Sequence, residues 1–182
     1  LFYPYAGAGI LRQNTKRFRI CDLEVVEMSN ITVGMADLNI CRAPDVLITV
    51  GLGSCIGLTL YDPVNKIGGM VHYMLPDSHI TANNGNIAKF ADTGIPELLK
   101  RITLAGANRS RLIAKIAGGA KMFGVNQMSN IGSIGERNAA AAKQILNELN
   151  IKLVAEDTGL NYGRTVELHC DTGDFHIKAI KK

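Results

Sequence analysis

From Met28 onward the chain is patterned by short β-branched runs and two longer stretches of helical period. "ITVGM" (31–35) and "VLITVGL" (46–52) have the composition of strands. "CIGLTLYD" (55–62) and "KIGGMVHYML" (66–75) flank Pro63-Val64-Asn65-Lys66, a turn-like composition, and together predict a β-hairpin. Between 88 and 107, Ala91, Ile95, Leu98, Leu99 and Ile102 recur at helical spacing. Pro96 belongs to the first turn of that helix or kinks it. "RLIAKIAGG" (111–119) reads as a buried strand. Ser133-Ile134-Gly135-Glu136 then fits a capping box, with Ala142, Ile145, Leu146 and Leu149 sharing one helical face behind it. "IKLVAED", "RTVELHCD" and "DFHIKAI" close the chain as strands, the last two joined through Thr172-Gly173. Strands at both ends with two helices between them predict an α+β fold.

Residues 1–27 lack this patterning. We expect Met28 to be the native start, which would make 1–27 an N-terminal extension and 28–182 the folded domain. Leu23-Glu24-Val25-Val26 can be encoded by codons containing a bacterial ribosome-binding sequence, and a natural flexible extension is the competing reading. The mass of the N-terminal peptide decides between them.

Composition narrows the function classes. The chain has 182 residues, 47% of them hydrophobic and 20% charged, enough for one domain with a real core. No apolar run approaches the length of a transmembrane helix, and the start lacks the basic n-region of a secretory signal. The cytoplasm is therefore the expected compartment, with no membrane insertion and with reduced cysteines. The net charge of +4 is scattered rather than gathered on one face, which disfavours nucleic acid as a partner. Cys21, Cys41, Cys55 and Cys170 show no C-x-x-C spacing, so zinc-finger and thioredoxin-like sites are not indicated.

The hairpin raises a chemical question. If Asp62 pairs with Ile67, His72 falls opposite Gly57, and Cys55 lies on the same face as a diagonal neighbour of His72. Such neighbours are about 7–8 Å apart at Cα. A shift of one residue would put them on opposite faces. In this register His72 could take the proton of Cys55, whose thiolate would attack a carbonyl carbon. Backbone N–H groups of the glycine-rich turn Gly51, Gly53 and Ser54 could stabilise the oxyanion. Thr49, at the end of the preceding strand, is the candidate third member by position. A buried structural cysteine explains the same spacing, and spacing alone leaves both open.

Other chemistries fit less well. Gly51-x-Gly53-x-x-x-Gly57 is followed by a strand, whereas dinucleotide binding needs a helix N-terminus there. Ala117-Gly118-Gly119-Ala120-Lys121 lacks phosphate-loop spacing and reads as a tight turn. His169 and Cys170, with His176 nearby, are adjacent strand residues pointing to opposite faces, so no shared metal is expected. His79 sits in a polar loop.

"VGLGSCIGLTLYDPVNKIGGMVHYMLPDS" is followed in order by "KFADTGIPELL", "AKIAGGAKMF", "IGERN" and "AEDTGLNYGRTVELHCDTG". This series, spanning Ile31 to Lys178, resembles the CheD family of bacterial chemoreceptor glutamine deamidases. The resemblance implies Cys55 as nucleophile, His72 as its base and Thr49 as third member, with no cofactor and no metal. It implies chemoreceptor helices as substrate and the phosphatase CheC as a bound and stimulated partner, the protein alone being a monomer. The implied fold is a layered α/β sandwich with mixed sheets and helices on one side, similar to the catalytic domain of cytotoxic necrotizing factor toxins. An adaptor that binds CheC and receptors with little or no catalysis is the alternative. Two departures stand out: Leu160 replaces a common glycine, and Pro96 enters a helix usually free of proline.

Overall fold

The structure is a computed structural model, and it describes residues 27–82, 85–121 and 133–180. The expected extension 1–27 falls outside these except for Glu27. Nine strands and two helices follow one another in it: β1 (Asn30–Thr32), β2 (Asp37–Arg42), β3 (Val46–Leu52), β4 (Ile56–Asp62), β5 (Ile67–Tyr73), α1 (Ala91–Leu104), β6 (Ile113–Gly118), α2 (Ile134–Glu148), β7 (Lys152–Thr158), β8 (Gly163–His169) and β9 (Phe175–Ile180). The fold is α+β, as the order of elements predicts.

The strands form two mixed sheets, β1-β3-β8-β9 and β2-β5-β4-β6-β7. One apolar cluster, including Leu47, Leu52, Met70, Val166 and Leu168, fills the space between the sheets. A second, including Leu58, Leu60, Val71, Ile95, Leu98 and Leu146, packs the helices on the far face of the five-stranded sheet. The result is three layers. Central strands β4 and β5 are covered on both faces, and every residue in them is buried. This is why their sequences are almost continuously apolar, with small residues where layers approach closely.

The β4–β5 register is the expected one: Asp62 pairs with Ile67 and Gly57 with His72. The turn is tied down from outside. Asp62 is fully buried and accepts from Val64 N, Asn65 N and Asn108 N, and in bidentate fashion from Arg111. Burial by itself would raise the Asp62 carboxyl, but Arg111 and these backbone donors outweigh it and hold it well below the usual carboxylate range.

Several elements differ from expectation. β2 carries no strong strand signal because it lies at a sheet edge, pairing only with β5. Edge strands tolerate polar residues, here Asp37, Asn39 and Arg42. β1 is shorter than expected, three residues ending at Thr32. Pro96 is neither in the first turn nor at an end; it is the sixth residue of α1. The capping box at Ser133 and Glu136 forms as expected, as does the β8–β9 hairpin through Gly173. No helix among the described residues is long and apolar enough to cross a membrane.

Candidate active site

Thr49 comes from the four-stranded sheet, and His72 and Cys55 from the five-stranded one. β5 alternates, so Gly69, Val71 and Tyr73 face the helices while Gly68, Met70 and His72 face the opposite sheet. Cys55 stands one residue before β4 and packs against the inter-sheet cluster, on the same side as His72. Thr49 faces inward from β3, where it pairs with Val166.

Gly57 lets the three approach. It pairs with His72, and a Cβ there would lie 2.9 Å from Leu52 Cδ1 and 3.4 Å from Thr49 Cγ2. A side chain at this position would crowd the Leu52 tip reaching over from the opposite sheet.

Thr49 and His72 are both essentially inaccessible, and Thr49 Oγ1 is 2.8 Å from His72 Nδ1 in a buried hydrogen bond. The other ring nitrogen, His72 Nε2, is buried with no hydrogen-bond partner among the described residues. A buried orphan nitrogen is costly, and such groups are retained where chemistry uses them. Burial pushes the His72 imidazole below its ordinary value of 6.5. Burial also pushes the Cys55 thiol above its ordinary 9.0, an effect its own backbone N–H partly offsets. Both shifts favour the neutral form of each group.

The turn before Cys55 is held by its carbonyls. Gly53 O accepts from Ala120 N at 2.7 Å and Cys55 O from Gly119 N at 2.8 Å. Ser54 O accepts from Asn138 Nδ2 at 2.9 Å. With three successive carbonyls engaged by Gly119 and Ala120, just after β6, and by α2, the N–H groups of Gly53, Ser54 and Cys55 have no backbone partner among the described residues. The Gly118-Gly119 pair is the close-packing turn its sequence predicts: a Cβ on Gly118 would lie 2.2 Å from Cys55 O. Gly51 sits apart from these contacts, at an irregularity in the β3–β8 pairing, with a left-handed φ of 75°.

Asn138 is a residue at this site that local pattern reading missed. It is fully buried on α2, and its side-chain amide donates to Ser54 O and to Met74 O at 2.8 Å. One side chain thereby links the residue before Cys55 to the strand end after His72. Its backbone carbonyl accepts from Tyr73 Oη at 2.8 Å. A signal was available, because Gly135, Asn138, Ala139 and Ala142 form one buried helical stripe that a lone asparagine interrupts.

Leu160 adopts a left-handed φ of 59° and is exposed. This conformation favours glycine, which accounts physically for the residue type common at this position. Its carbonyl accepts from Lys121 N.

The chain as a whole is similar to known proteins. The family model for CheD chemotactic sensory transduction matches residues 74–179. The chain is 55% identical over 152 residues to the probable chemoreceptor glutamine deamidase CheD of Lachnoclostridium phytofermentans, covering 84% of this chain and 94% of that one. Its identity to the protein of the same name from Caldanaerobacter subterraneus is 50% over 155 residues, covering 85% and 96%. To that from Syntrophomonas wolfei it is 53% over 150 residues, covering 82% and 93%. Among solved structures, a Neisseria meningitidis protein of the DUF152 family is similar with a TM-score of 0.50 at 11% identity. That match covers 73% of this chain and 64% of the other protein's length, a likeness of fold alone. It does not test the likeness to the toxin domain. On the family match and these identities, the chain belongs to the CheD family.

Proposed function

We propose that this chain is a protein-glutamine deamidase that converts glutamine side chains of chemoreceptors to glutamate and releases ammonia. The names of its relatives support the reaction class. The observation that carries the mechanism is the buried His72, with Nδ1 engaged by Thr49 and Nε2 unpartnered on the face it shares with Cys55.

With Nδ1–H donating to Thr49 Oγ1, the Nε2 lone pair takes the proton of the Cys55 thiol. The thiolate attacks the glutamine carboxamide carbon, forming a C–S bond, and the carbonyl π electrons move to oxygen. The N–H groups of Gly53, Ser54 and Cys55 stabilise this oxyanion, while Gly51 lies apart from that turn. Collapse breaks the C–N bond as His72 returns its proton to the departing nitrogen, giving ammonia and a thioester. Water, deprotonated by His72, then attacks the thioester. The C–S bond breaks, leaving glutamate and a regenerated thiol. Thr49 is a positioning residue here, fixing the ring and its tautomer.

The test is peptide mass spectrometry of a receptor cytoplasmic fragment incubated with the protein, reading the mass gain of amide-to-acid conversion at individual glutamines. The family resemblance also assigns CheC as a partner, so the experiment is run with and without it. No conversion in either arm, with CheC binding intact, favours the adaptor reading.

The pH profile tests the resting state. Because the His72 value is lowered, kcat/KM will decline only as the pH falls below about 6.5, when the base becomes protonated. The alkaline limb belongs to the raised thiol and will lie above about 9. An imidazolium–thiolate pair would instead give an alkaline limb near pH 8, set by loss of the imidazolium proton.

Asn138→Ala frees both carbonyls it holds. We expect kcat to fall by on the order of 10–100-fold with little change in KM, since displacement of a reacting group by about 1 Å has this size of effect. The alkylation rate of Cys55 by iodoacetamide will change in parallel. Loss of thermal stability with an unchanged kcat in the remaining folded protein would make Asn138 purely structural.

A further inference from the structure

The outer face of the four-stranded sheet holds a second cluster, which the thiol chemistry does not use. Val166 and Leu168 of β8 point into the inter-sheet core, so Glu167 and His169 point outward. His176 of β9 pairs directly with Glu167 and shares that outward face. His169 and Cys170 do diverge, as adjacent strand residues must, but Glu167 supplies the third ligand that pairing alone reveals.

The geometry suits a metal ion. One donor atom from each of Glu167, His169 and His176 lies within 4.8 Å of the other two. The two imidazole centroids are 4.6 Å apart, tilted by 41°. His169 Nε2 is buried without a hydrogen-bond partner, at 3.5 Å from Glu167 Oε2. Lys178 Nζ occupies the other carboxylate oxygen, Oε1, at 2.6 Å, which leaves Oε2 for a ligand. Zinc bonds of about 2.0–2.2 Å put tetrahedral donors about 3.4 Å apart. Two imidazoles and a carboxylate are a borderline donor set that suits zinc better than calcium or magnesium.

We propose that Glu167, His169 and His176 form a zinc site that pins β9 to β8, with the fourth coordination position open to water. β9 is an edge strand of its sheet, so a cross-strand ion would fasten an element that pairs with one neighbouring strand alone. The site is separate from the Cys55 mechanism.

The test is titration of the metal-depleted full-length chain with zinc against a chromophoric chelator, followed by thermal melts with and without zinc. One equivalent will bind, raising the melting temperature. His176→Ala and Glu167→Gln will each weaken binding at least about tenfold, because loss of a direct ligand exceeds loss of an outer-shell partner. His176 is exposed, so its variant will fold. Cobalt in place of zinc will show no thiolate charge-transfer band, and Cys55→Ala will bind zinc as the parent does. Binding that survives His176→Ala, a thiolate band, or no binding at about 100 µM zinc (well above the Kd of a working site) overturns the assignment.

Discussion

Cys55→Ala will abolish glutamine conversion in a receptor fragment, lowering the rate by at least about 10⁴-fold, while the protein melts close to the parent temperature. The rate loss follows from chemistry. Without Sγ no thioester forms, and His72 has no nucleophile to activate. The small effect on stability follows from position. Cys55 is only partly buried, in a turn whose backbone is held by Ala120 N, Gly119 N and the Asn138 amide, and alanine keeps that backbone and loses one sulfur. Two measurements check this, mass spectrometry of the fragment and a melting curve. Retained conversion would sink the assignment of Cys55. Lost conversion with a collapsed melting temperature would show a structural cysteine, the competing explanation of its spacing to His72.

Gly118→Ala will have the second-largest effect, and on both properties. Gly118 has a φ of 117°, and an added Cβ would sit 2.2 Å from the Cys55 carbonyl oxygen. That oxygen belongs to backbone already bonded to Gly119 N, so no flexible side chain can yield. Either β6 or the nucleophile turn must move. We expect destabilisation of about 2–4 kcal/mol, in the range of strained special-backbone positions, together with a fall in kcat as Cys55 is displaced. Gly163→Ala is the control. An added Cβ there meets nothing within 4 Å, and the change should stay within about 0.5 kcal/mol. Equal melting temperatures and equal kcat for the two variants would mean that the turn is not fixed from β6.

These contacts also explain why the chain uses small residues where it does. Gly57 admits Thr49 and Leu52 from the opposite sheet. Gly135 lies against the Gly119 carbonyl, with a would-be Cβ at 2.4 Å. The first lets Thr49 and His72 meet; the second seats α2 close enough for Asn138 to reach the turn before Cys55.

The sequence by itself determined the features set within about ten residues. Two apolar runs around one four-residue turn marked the β4–β5 hairpin, whereas the register that puts Cys55 and His72 on one face was a condition met only when Asp62 paired with Ile67. The capping box started α2 at the expected residue, and the Gly118-Gly119 pair marked a tight turn. The motif order around Cys55 and His72 was legible enough to indicate the family. Tertiary structure decided what depends on stacking one layer on another. Thr49 and His72 are 23 residues apart and meet only because two sheets pack face to face over Gly57. Asn138 and Ser54 are 84 apart, joined by the seating of a helix on a sheet. β2 was hidden because an edge strand needs little apolar character, and Glu167, His169 and His176 became a cluster only once β9 paired with β8. Local periodicity and caps act through neighbouring residues; the angle and distance between layers are fixed by the whole core.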